Sequence, residues 1–427
     1  MSVNENFFRN AAFHCARPAV ALLVVGLLGA TVPAALAQQG EIERAPVFRA
    51  SQILPPDLVT GPSHRIDESV PNDGVMNLYR INSRFGLFEA QSTAEMKIRV
   101  HEVYAIGAME EVQSSEAFAE SVKNAGAGVV EGVGHAVTDP VGTVSAGISG
   151  VGKLFQRAGA KLGGDTRSES EDSGMSDLLG VSKKKRQYAA EFGVDVYSSN
   201  EVLQQNLDRL AQAGWFGGLG VNIPVGVVAG PVLMATQTAN RMKGVFRDMS
   251  ATDLRIMNKK KLEAMGVSAE VTDLFISNRF FSPRHQTLLV AALEEMGRTE
   301  GRGHLVRFAV QTEDEDMALF RQRQAEMYAG YHRSVQPLER FVPLGKLVAA
   351  KTQGGALVFN VPLDHLAWTR DMASFMRWVN QEISAAAGSA EKHVWVTGTV
   401  SALARKNLEA KGWNVHEGAA SLVPDGA

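Results

Sequence analysis

The chain has 427 residues, 45% of them apolar, with 43 Lys and Arg against 46 Asp and Glu and a formal charge of −3. That length can bury a core in two or three domains, and the near-neutral balance argues against nucleic acid as the main partner. The single cysteine, Cys15, falls in the first segment, so the rest of the chain has no disulfide, thiolate metal site or cysteine nucleophile.

Residues 1–37 read as a signal peptide. Arg9 and Arg17 give a positive start, Ala19 to Ala30 is an apolar stretch, and Ala35-Leu36-Ala37 offers the small residues a signal peptidase reads. The expected location is the periplasm or outer envelope. The alternative is an uncleaved membrane anchor, since Pro18 to Gln39 is uncharged and roughly 20 such residues span a bilayer.

Residues 38–73 carry Pro46, Pro55, Pro56, Pro62 and Pro71 and read as an extended, partly disordered entry segment. Residues 74–112 read as a small antiparallel sheet, with strands at Met76 to Ile81, Arg84 to Ala90 and Glu95 to Ala105. In the last, Met96, Ile98 and Val100 alternate with Lys97, Arg99 and His101.

Residues 113–163 read as two glycine-rich amphipathic helices split at Asp139-Pro140. Val130, Val133, Val137, Val141, Val144, Ile148, Val151 and Phe155 recur at helical spacing and form one apolar stripe. Glycine disfavours an isolated helix, so this pair needs a partner surface. The pairs Gly128/Gly132 and Gly159/Gly163 would let another backbone approach. The stripe is therefore the candidate membrane- or partner-facing surface, toward a lipid interface or a second copy. The plainer reading buries it against the protein itself. Residues 210–240 form a second uncharged stretch, too rich in proline for one helix.

Residues 164–186 read as a charged Ser/Gly linker ending in the solvated run Lys183 to Arg186. Residues 187–310 are predicted mainly helical, with helices after Asn200, over Ala251 to Met265, Ala269 to Ile276 and Pro283 to Met296. Residues 311–427 mix strands and helices. A helix starts from a Thr312/Glu315 capping box, and a hairpin turns at 352–355. Helix Thr369 to Ile383 follows, and His393 to His416 reads as a β–α–β unit.

Few residues point to chemistry. Asn278, Ser282 and His285 cluster polar groups at a helix start and are the candidate catalytic residues of an exported hydrolase. The plainer reading is a capped helix with Phe280 and Phe281 in the core. Thr397, Thr399 and Ser401 surround Gly398, where a strand end meets a helix start and ligands often bind. Gly147 to Lys153 has P-loop spacing but Leu154 replaces the magnesium-binding hydroxyl. Asp364-His365 and His101-Glu102 lack metal-site spacing, and no metal or cofactor is predicted. The sequence thus predicts an α+β protein: a small N-terminal antiparallel sheet, a Gly-rich amphipathic helical pair, a helical centre and a C-terminal α/β unit. The leading function is a non-catalytic envelope protein, membrane- or assembly-associated. The alternative is the exported hydrolase, and a delivered effector ranks third.

Overall fold

The computed structural model describes residues 41–125, 180–220, 237–345, 347–387 and 390–424. The eight stripe residues Val130 to Phe155, the P-loop-like run and residues 1–37 lie outside them. The protein is α+β.

The chain opens with β1 (Val47–Arg49), two single-turn helices α1 (Ala50–Ile53) and α2 (Pro56–Val59), β2 (His64–Ile66) and β3 (Ser69–Pro71). β1 pairs antiparallel with β3, while β2 pairs with β4 (Tyr79–Ser83), which pairs with β5 (Gly86–Ala90). The prolines at 46, 55, 62 and 71 do not keep this region extended: they sit at element ends or in turns, where the missing N–H is tolerated. The small antiparallel sheet is present, but it begins before residue 74 and ends at Ala90.

Residues 95–105 are not a strand. They lie within α3 (Thr93–Gln113), whose N-cap Ser92 accepts from the Glu95 N–H. Met96 and Val100 fit a helical spacing as well as alternation, Val103 continues the helical spacing alone, and all three are fully buried. The alternation suggested a strand, but the cap and the helical contacts prevail. One end of α3 packs on the N-terminal sheet through Met96 and Val100. The other joins a helical core through Ile106 and Met109.

α4 (Glu116–Ala125), α5 (Val181–Phe192) and α6 (Glu201–Phe216) complete that second core. The run 183–186 is not wholly solvated, because it lies on α5. Lys185 and Arg186 are buried, and Lys185 Nζ is 2.7 Å from Asp208 Oδ1. Next come α7 (Gln237–Asp248), α8 (Ala251–Ala264), α9 (Ala269–Ile276), α10 (Pro283–Glu295) and α11 (Arg302–Ala309). The last three of the predicted helices begin within a residue of expectation, because Ser250, Ser268 and Ser282 each cap theirs.

α12 (Glu315–Ser334) is capped by Asp314, which accepts from Met317 N–H, rather than by Thr312. Then follow β6 (Leu338–Leu344), which the sequence reading missed, β7 (Leu347–Thr352), β8 (Leu357–Val361) and β9 (His365–Leu366). The chain closes with α13 (Arg370–Ala387), β10 (Lys392–Val396), β11 (Thr399–Val400), α14 (Ala402–Glu409) and β12 (Trp413–His416). The main sheet runs β12-β10-β8-β7-β6, parallel from β12 to β8 and antiparallel beyond. It forms the largest core together with α8 to α13. Gly330 lets the C-terminal turn Ala419–Leu422 reach α12, since a Cβ there would stand 1.8 Å from the Leu422 carbonyl oxygen. Among the described residues no helix is long and apolar enough to cross a membrane.

Candidate functional site at the carboxyl ends of the parallel strands

The parallel strands β8 and β10 end side by side at Val361 and Val396. Pro362 stops the first, since it cannot donate to a ladder. Both chains then turn the same way, and β9 and β11 form a short parallel pair with His365 opposite Thr399. The Thr397 hydroxyl donates to the Leu363 carbonyl at 2.7 Å, and His365 Nδ1 and Thr399 Oγ1 share a hydrogen bond at 2.7 Å. Gly398 lies flat against this turn: a Cβ there would stand 1.8 Å from the Asp364 carbonyl oxygen.

The N-terminal module is clamped across these strand ends. Asp364 N–H and His365 N–H both donate to the Val75 carbonyl at 3.1 Å. In return Asp364 Oδ2 accepts the Asn77 N–H at 3.0 Å and the Thr93 N–H at 2.9 Å. A chain of side chains runs behind it: Asn72 donates to Asn77, Asn77 to the Tyr79 hydroxyl, and Tyr79 shares a hydrogen bond with Thr93. Glu43 ties the same edge from outside by accepting from Trp368 N–H and the Ser401 hydroxyl.

Between module and sheet lies a cavity of about 570 Å³, within the range of small-molecule sites. One wall is apolar, with Phe359, Val361 and Val394 from the sheet and Met372, Met376 and Val379 from α13. The module and the α12 region bring a mixed lining, with Phe48, Val75, Met317 and Phe320 beside the polar groups of Asn77, Thr93, Glu95, Asp314 and Asp316, and Asp364 follows β8.

The charges in that lining are anchored deeper in the protein. Arg99 Nη1 lies 3.0 Å from Glu102 Oε2, and its Nη2 lies 3.3 Å from Glu95 Oε1. The same guanidinium donates to Ser198 and Ser199, and Asn200 Nδ2 donates to Glu102 at 3.0 Å. The lining carboxylate Glu95 is thus tied through Arg99 to the loop before α6. Burial raises the pKa of Glu95, with the charge of Glu102 adding to it and Arg99 opposing. Burial, reinforced by Glu95, pushes Asp316 up to about 7. Burial also raises Asp364, outweighing the two backbone N–H groups that favour its charge.

The Asp316 shift has a testable sign. Its folded pKa stands above the unfolded value of about 4, so the folded chain holds the proton more tightly between pH 4 and 7. The ionised form therefore costs stability above pH 7. Asp316→Asn is expected to be more stable than wild type by about 1–3 kcal/mol at pH 8. The gain should shrink as pH falls toward 4. Urea denaturation at the two pH values checks this, and equal stability at pH 8 would refute it.

Asn278, Ser282 and His285 stand away from this crevice, and none of them lines it. Asn278 Nδ2 donates to the Val310 and Thr312 carbonyls at 3.2 and 3.0 Å, and Ser282 caps α10 by accepting from the His285 N–H. Burial lowers the pKa of His285 to about 4. Phe281 is buried against Phe275. Of the weaker set, Thr397 and Thr399 line the crevice, while Ser401 caps α14. Asp364, Glu95, Asp316 and Thr93 were missed as site residues. Asp364 meets its partners 271 and 287 residues away, a pairing no local pattern reveals. The one available signal was an acid two residues past a proline-terminated apolar strand.

Among the described residues no group of three or more His, Cys, Asp and Glu is placed to hold a metal ion. Fold and crevice together define an α+β protein with a ligand-sized cavity at the carboxyl ends of its parallel strands. No protein-family model, no curated protein and no solved structure matches the chain.

Proposed function

We propose that the chain is an exported, non-catalytic binding protein that holds a largely apolar small molecule in the crevice at the ends of β8 and β10. Through residues 113–163 it would meet a membrane face or a second copy. The cavity supports the first part: a ligand-sized, mostly apolar lining carries a small set of fixed polar groups, the usual composition of such sites. Residues 1–37 and the glycine-rich sequence support the second part, on composition and spacing only.

Nile red fluorescence on the purified 38–427 chain tests the binding function. Saturable enhancement is expected in wild type. Val394→Trp, which fills the apolar wall, should abolish it while leaving the far-ultraviolet circular dichroism unchanged. Enhancement that persists in a folded Val394→Trp variant would remove the proposal. Flotation of the same chain with vesicles tests the membrane part, and protein that stays monomeric at the bottom of the gradient contradicts it.

The exported hydrolase is the second reading, and the carboxyl groups of Glu95 and Asp316, which both line the cavity and interact electrostatically, favour it. A carboxyl poised near neutrality can donate and accept protons. Ester hydrolysis that vanishes in Asp316→Asn would put this reading first.

A further inference from the structure

We infer that the molecule held in the crevice is a lipophilic amine, an apolar body with a protonated nitrogen, and that the Asp364 carboxylate receives that nitrogen. This deepens the binding function proposed above and rests on it.

Asp364 stands just beyond the carboxyl end of β8 at Val361, and it lines the cavity. Its carboxylate is held by neutral donors: the Asn77 and Thr93 N–H groups and the Thr93 side chain. Among the described residues no salt bridge reaches it, and the charge of Arg323 is felt there. A carboxylate withdrawn from water without a counter-ion is poorly stabilised, and an opposite charge within a few ångströms is the strongest remedy. The field of Arg323 reaches it but does not offset burial.

The other charged groups on the wall sharpen the argument. Glu95, Asp314 and Asp316 add negative charge to the same lining. Arg321 Cζ sits over the Phe308 ring, 3.6 Å from its centre, and its Nη1 donates to Gln324 at 3.4 Å. Lys97 and Arg323 each already make an interaction within the protein. His365 gives Nδ1 to Thr399, and burial keeps its pKa low. An anionic head group entering here would face carboxylates, whereas an ammonium would meet one beside an apolar surface. Met372 and Met376 on that surface adapt readily to different chains.

Calorimetric titration of the 38–427 chain at pH 8 with dodecylamine, dodecanol and dodecanoate, each below its micelle concentration, decides the matter. Dodecylamine is expected to bind at least tenfold more tightly than dodecanol, with dodecanoate the weakest. Asp364→Asn keeps an oxygen acceptor for the two backbone N–H groups, and it should bring the amine down to the affinity of the alcohol while leaving the alcohol unchanged. Should that variant fail to fold, the wild-type ranking decides by itself. Alcohol binding with no preference for the amine, or tightest binding of dodecanoate, overturns this inference alone. Binding of none of the three overturns it together with the function it rests on.

Discussion

Arg99→Ala is expected to lower the unfolding free energy by about 3–5 kcal/mol, the cost of leaving a buried charge without its partner. Glu102 is the reason. Its side chain is 1% exposed, and Arg99 is the cation that meets it, while Ser198 and Asn200 supply neutral hydrogen bonds. Removing the guanidinium also frees Glu95 and takes away the Arg99 bonds to Ser198 and Ser199, leaving Glu102 to hold α3 to the loop before α6. Arg99→Lys keeps the charge but lacks the planar fork that reaches two carboxylates and two hydroxyls, so it should fall between wild type and alanine. Urea denaturation followed by circular dichroism measures all three. A loss below about 1 kcal/mol for Arg99→Ala would match an exposed ion pair rather than a buried one and would refute this assignment.

Gly398→Ala is the second large effect. A methyl group at this position would stand 1.8 Å from the Asp364 carbonyl oxygen, which belongs to backbone and cannot swing aside. The β9–β11 pair must separate, and with it go the Gly398 N–H to Leu363 and the Thr399 N–H to Asp364 hydrogen bonds. A stability loss of about 3 kcal/mol is expected, together with a fall of at least tenfold in Nile red affinity, because the displaced turn carries the crevice wall. Gly244→Ala provides the contrast. That glycine lies inside α7 with nothing within 4 Å of its added Cβ, so the same substitution should stabilise by about 0.5–1 kcal/mol. Equal outcomes at the two glycines would show that the close approach at Gly398 is not a real constraint.

Local chemistry made some of the architecture legible. Serines 250, 268 and 282 start helices where they were expected, because a cap is a contact between neighbours in sequence. The C-terminal β–α–β unit followed from apolar runs separated by a single helical pattern, and β12 spans Trp413–His416 as read. The failures lie where tertiary contacts decide. Met96 and Val100 satisfy both the helical and the strand period, and the outcome depended on the Ser92 cap and on two separate cores that α3 joins. The charge of Lys185 pointed outward by type, yet α6 brings Asp208 to it and buries it. The site itself was almost invisible. Thr397 and Thr399 were noticed from a strand end beside a glycine, but Asp364 acquires its setting from Asn77 and Thr93, nearly 300 residues earlier.

Crystals grown with a bromine-tagged apolar amine test the central claim most directly. An anomalous bromine peak is predicted between β8, β10 and α13, within contact of Val361, Met376 and Val394, with the nitrogen directed to Asp364. Bromine peaks only on the outer surface, in crystals whose crevice holds water alone, would contradict it.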